Sequence, residues 1–131
     1  MKNAQPSSNL RDRELEQLMS KREHSGNPAA EAADLHSAIA KALAELQKSL
    51  AGLAEDADDS IGFQIAMLED PALAAPCWHL ISNHASADGA WAATLDQQVE
   101  SFNSNADEDV RARCSDLEDI RDRVLRHLAE A

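Results

Sequence analysis

The apolar positions of this chain fall into stripes spaced for helices. Leu35, Ile39, Ala42, Leu46, Leu50 and Leu53 recur at steps of four and three, which lines them along one helix face. Asn27-Pro28 is a strong start for that helix, because Asn caps free N–H groups and Pro suits the first turn. Glu31, Asp34, Lys41, Glu45 and Lys48 are expected on the opposite face, with His36 at the surface just off the seam. Gly52 and the acidic run over residues 55–59 weaken the helix, so a new one is expected to begin at residues 56–60. It continues through Phe63, Met67 and Leu68 to Glu69-Asp70-Pro71. Pro71 fits the first position of a following helix and Asp70 can cap it, so the chain should turn a corner there. That corner sets Met67, Leu68 and Leu73 beside Glu69 and Asp70.

Pro76 follows closely and removes a backbone hydrogen bond, which predicts a kink or break near Ala75. Residues 82–86 read as a loop, with Ser86 as the next cap. From Ala87 the apolar steps are four, four and three, through Trp91, Leu95, Val99 and Phe102. A last helix is expected to open at residues 107–109, where three acids suit the helix dipole. Its stripe is Val110, Cys114, Leu117, Ile120 or Arg121, Val124 and Leu128. These elements predict an all-α fold, an antiparallel four-helix bundle with one broken or kinked helix. Residues 1–26 read as a flexible N-terminal tail with a short amphipathic helix over 11–23, and residues 27–131 as the helical domain.

Composition supports this class. Aromatic residues are 3% of the chain, tyrosine is absent, and 131 residues suffice for one core. Cys77 and Cys114 are too few for a disulfide framework and, with no signal peptide, read as small buried thiols in a reducing cytosol. No apolar run approaches the roughly 18 residues that a membrane span needs.

Charge adds a directional cue. The net charge is −12, and between Ser49 and Val110 there is no Lys or Arg but twelve Asp and Glu. The two flanks hold twelve acids and twelve bases, so the excess belongs to the middle of the chain. Such a surface repels nucleic acid and acidic membranes and steers basic protein partners in. Candidate chemistry is sparse. The five histidines form no i, i+4 pair and have no cysteine at zinc spacing. There is no glycine-rich phosphate loop, and residues 55–59 lack the glycine and terminal glutamate of a calcium loop. The paired carboxylates are expected to be solvated helix ends.

The corner sequence GFQIAMLEDPAL, residues 62–73, resembles a segment of Enzyme I of the bacterial sugar phosphotransferase system, where the pattern is F-x-x-H-x-x-L-L-x-D-P-x-L. RARCSDLEDIRDRVLR, residues 111–126, is similar to that family's E-R-A-A-D-V-R-D-I-G-x-R-L-L-R. NPAAEAADL, residues 27–35, is similar to the opening of its first long helix. The resemblance runs in order over residues 27–128.

It implies a helical subdomain that docks the small basic phosphocarrier protein HPr and is not catalytic alone. The family's phosphorylated histidine lies in an α/β subdomain with a G-G-x-x-S-H motif, which is absent here. The resemblance implies no cofactor on this chain; magnesium and phosphoenolpyruvate belong to other domains of such a protein. A similar region occurs in the phosphotransfer subunit of dihydroxyacetone kinases. Carried over by position, the partner-binding residues are Glu55, Asp56, Met67, Asp70, Leu73, Leu95 and Arg113. The chain departs from the family at Gln64, which replaces the corner histidine, at Ala66, at Pro76, and at Arg121, which replaces a glycine. Those departures suit an alternative, a stand-alone helical adaptor or regulatory protein outside phosphotransfer.

Overall fold

The computed structural model describes residues 26–52 and 59–130. The expected tail and its short helix, together with Leu53, Glu55 and Asp56, lie outside them. Every regular element among the described residues is a helix: α1 (Pro28–Ala51), α2 (Asp59–Glu69), α3 (Pro71–Ser82), α4 (Ala87–Asn103), α5 (Glu108–Arg111) and α6 (Cys114–Ala129).

α1 begins as its first residues dictate: Asn27 Oδ1 accepts the Ala29 N–H at 2.9 Å, and Pro28 occupies the first turn. Its buried stripe is Glu31, Leu35, Ala38, Ala42 and Leu46, with Ile39 at the margin. Leu50, expected to continue the seam, is 43% exposed. Fifteen residues beyond Leu35, a helix of 3.6 residues per turn has rotated about 60° off its starting face. The same geometry brings Glu31 inside, against the expectation of a solvated position, since it stands one turn before Leu35.

The corner forms at Asp70. Its backbone is extended, Oδ1 accepts the Ala72 N–H at 2.9 Å, and Pro71 opens α3. The expected break near Ala75 does not occur, and α3 runs through Pro76 to Ser82. Ala72 and Pro76 are both exposed, so the carbonyl that loses its donor at Pro76 can be solvated instead. After α3, His84 takes a left-handed backbone (φ 73°) and the chain turns into Ser86, whose Oγ accepts the Gly89 N–H at 3.1 Å.

The last helix is interrupted, where one continuous element was expected. Asp107 caps the single turn α5 through the Asp109 N–H at 2.8 Å. The Arg113 N–H then bonds the Val110 carbonyl at 3.0 Å, a tightened turn that ends α5 before Cys114 restarts the helix as α6.

α6 packs against α4, α1 and α2, while α4 also packs on α3. The core unites Leu35 and Leu46 from α1, Trp91 and Leu95 from α4, and Leu117, Ile120, Val124, Leu125 and Leu128 from α6. Each such large side chain contributes on the order of 1.5–3 kcal/mol when fully buried. The Trp91 indole N–H reaches the Arg121 carbonyl at 3.2 Å, so the largest core side chain leaves no polar atom unpaired. No described helix is long and apolar enough to cross a membrane.

Candidate docking surface at the α2–α3 corner

Turning the chain at Asp70 brings the end of α2 and the start of α3 up to the side of α4. Met67, Asp70, Ala72, Leu73 and Gln98 line an open depression of about 120 Å³ there. Met67 is half-buried and Leu73 is 6% exposed, so the floor is apolar. Asp70 is exposed at the rim, and one carboxylate oxygen is committed to capping α3. Glu69 and Glu100 are also solvent-facing on these helices, and no Lys or Arg occurs anywhere from α2 through α4.

Among the residues singled out from the sequence, this geometry unites Met67, Asp70 and Leu73. Leu95 does not join them. It is 0% exposed in the core and has no surface to offer a partner; its place is that of a packing residue beneath the site. Glu55 and Asp56 lie outside the described residues. Gln98 was not singled out, because a polar residue on a helix carries no periodic signal; it follows Leu95 by one turn and therefore comes up beside the corner.

Arg113 sits at the start of α6, half-buried. Its guanidinium carbon lies 4.9 Å from the centroid of the Phe63 ring, and Nη1 donates to Asp116 Oδ2 at 3.2 Å. Phe63 meets Phe102 of α4 edge-on, with ring centroids 6.4 Å apart. Asp116 is itself buried at 6% exposure and accepts from Ser60 Oγ and from Gln64 Nε2, the latter at 3.2 Å. Gln64, at the position of the family's corner histidine, is thus an interior group of α2, and its Oε1 has no partner. The paired carboxylates at residues 69–70 and 107–109 are exposed at helix ends as expected, whereas the single carboxylates Glu31, Asp88 and Asp116 are buried.

Other reactive groups are placed for packing. Burial pushes the Cys77 thiol up from its ordinary pKa, and its Sγ faces the Ala90 carbonyl at 3.7 Å. Cys114 is raised too, by desolvation and then by the Glu118 charge. Neither thiol is activated as a thiolate. Among the described residues, no three His, Cys, Asp or Glu side chains gather as a metal ligand set. His36 is a surface residue stacked on Trp78, with centroids 4.1 Å apart.

A family model described as "PEP-utilising enzyme, N-terminal" matches residues 9–113, a span that includes the corner and Arg113. Similar curated proteins from Listeria monocytogenes serovar 1/2a and Listeria innocua serovar 6a each bear the name phosphoenolpyruvate-protein phosphotransferase. Each is 34% identical over 83 residues, which is 63% of this chain and 14% of the relative. The match therefore takes up a small part of those relatives' length. With four-fifths of its residues inside the family match, the chain belongs to the N-terminal domain family of PEP-utilising enzymes, the family of the Enzyme I N-terminal domain.

Proposed function

We propose that this chain is a docking domain for a basic phosphocarrier protein of the HPr type, presented on an antiparallel arrangement of four principal helices and not catalytic by itself. The observation that carries the reading is the corner depression. Its floor is Met67 and Leu73, its rim holds the Asp70 carboxylate and the Gln98 amide, and it lies in a stretch of chain without a single base. An apolar centre with an acidic rim suits a partner that offers lysines or arginines around an apolar patch. The charge pattern acts at two ranges. Over distances near the Debye length the acids of α2–α4 raise the encounter rate, and at contact Asp70 meets a cation directly. Phosphoryl transfer within such an assembly would fall to other domains, in keeping with the name of the relatives.

The test is a titration of the full chain with purified HPr, followed by NMR and repeated at rising salt. The expected result is a set of shifts centred on Met67, Asp70, Leu73 and Gln98, with affinity falling as salt rises. No shift at Met67 or Asp70 at millimolar HPr overturns the proposal. That outcome would favour the stand-alone adaptor, the reading that the departures from the family at Gln64 and Arg121 suit; in the structure Gln64 Nε2 bonds Asp116, and Arg121 pairs with Asp96 and Asp122.

A further inference from the structure

α2 carries Met67 to the corner, yet it is the most thinly anchored of the longer helices. Only Gln64 and Leu68 of its eleven residues are buried. It packs on α1, α6 and α3, and it meets α4 through the Phe63–Phe102 ring contact. Besides Leu68, the half-buried Ile61, Phe63, Ile65 and Met67 pack against the core, but apolar contact has little directionality and so constrains the rotation of a helix about its own axis only weakly. Hydrogen bonds do have direction. Two donors of α2, Ser60 Oγ and Gln64 Nε2, one turn apart, meet on one group, Asp116 Oδ1. The other oxygen of the same carboxylate holds Arg113 Nη1 at 3.2 Å. Arg113 in turn lies over the ring of Phe63, also on α2, at 4.9 Å. One buried carboxylate therefore holds α2 at two neighbouring points, directly through Ser60 and Gln64 and, through Arg113, at Phe63.

We infer that Asp116 is the positioning residue of the docking surface: it fixes the rotation of α2, and so the placement of Met67, and it aims Arg113 across Phe63. The consequence for binding rests on the docking reading, while the consequence for α2 stands by itself. Asp116 is on α6 and does not line the depression, so its effect on a partner is transmitted through the helix. The charge matters as well as the shape. An amide at this position would turn an N–H either toward Arg113, losing that bond, or toward the α2 donors, removing the acceptor that Ser60 and Gln64 share.

The experiment compares the wild-type chain with Asp116→Asn, Ser60→Ala and the double variant, by amide hydrogen exchange and by titration with HPr. In Asp116→Asn, exchange over residues 61–68 is expected to speed up roughly tenfold, while residues 91–99 of α4 keep their wild-type rates. Affinity for HPr is expected to fall by about tenfold. Ser60→Ala, which keeps the charge and the Arg113 pair, should loosen the same amides, and the double variant should add little to Asp116→Asn, as expected for groups acting through one bond. Acceleration spread evenly over α1, α4 and α6 would mark Asp116 as general support and overturn the inference, as would unchanged exchange in α2. If Asp116→Asn does not fold, Ser60→Ala gives the same decision. Failure of the wild-type chain to bind HPr would overturn the docking reading, and the exchange comparison would still decide this one.

Discussion

The Glu31 carboxylate on α1 accepts the backbone N–H of Ala87 at 2.8 Å and so caps α4 from a position 56 residues earlier in the chain. Both residues are buried, Glu31 at 2% and Ala87 at 0% exposure. A charge-assisted bond to a free helix N–H, reinforced by the positive end of the α4 dipole, is stronger than a neutral one. Glu31→Ala is expected to lower stability by about 2–3 kcal/mol, because a buried N–H loses its acceptor. Glu31→Gln, which keeps a carbonyl oxygen, should cost about half of that. Urea denaturation measures both. An alanine variant within about 0.5 kcal/mol of wild type would show that the cap contributes nothing net.

Pro76 gives a prediction of opposite sign. It stands inside α3 where a backbone N–H is missing, on the exposed side of a helix that runs on unbroken. Nothing in the core depends on its ring. Pro76→Ala restores the hydrogen bond to the Ala72 carbonyl and is expected to stabilise the chain by about 1–3 kcal/mol. Thermal melting reads this directly, and an unchanged or lower midpoint would mean that the proline conformation is itself needed.

How much of this could be read beforehand follows the range of each interaction. The corner was legible because Asp70 caps its own neighbours and Pro71 fixes its own φ, both within three residues. The α4 stripe was legible for Trp91 and Leu95, but periodicity told only that Leu95 is apolar and helical. Its place in the partner-binding set comes from the resemblance, carried over by position, which does not tell that this side chain is closed in the core. Glu31 and Asp116 were not legible. Their partners Ala87 and Ser60 lie 56 residues away in each case, and a carboxylate on a helix reads as solvated until that partner is known. Leu50 illustrates drift, since steps of four and three hold a face for a few turns and then leave it.

Acid should weaken one surface link in a definite window. Glu45 on α1 meets His127 Nε2 and Arg123 Nη1 of α6, each at 3.0 Å. Its pKa is held below the ordinary glutamate value, first by the hydrogen bond from His127 and, against some desolvation, by that from Arg123. A carboxylate with a lowered folded pKa adds stability above its unfolded pKa and loses it as pH falls through the folded one. The contribution is therefore present at neutral pH and disappears below the ordinary glutamate range. Because the Glu45 side chain is 48% exposed, solvent screening keeps it small, about 0.2–1 kcal/mol. Glu45→Gln should flatten the acid limb of the stability–pH profile by that amount. An identical profile would mean that the triad is not formed in solution.

The separation between surface and core at the docking site is open to a direct contrast. Asp70→Asn preserves the α3 cap, because Asn caps as well as Asp, but removes the rim charge. It should weaken HPr binding and lessen its salt dependence while leaving the melting temperature within a few degrees of wild type. Met67→Ala removes an apolar contact from the floor of the depression and should weaken binding with a modest loss of stability, since that side chain is only partly enclosed. Leu95→Ala acts on the interior instead. It opens a cavity beside the helices that hold the corner and is expected to cost about 2–5 kcal/mol of stability. Any change it makes in binding should follow the fraction of unfolded chain, measured at the same temperature. If Leu95→Ala abolished binding while the chain remained fully folded and α2 kept its wild-type amide exchange, Leu95 would belong to the docking surface after all, and the site would have to extend into what is closed core here.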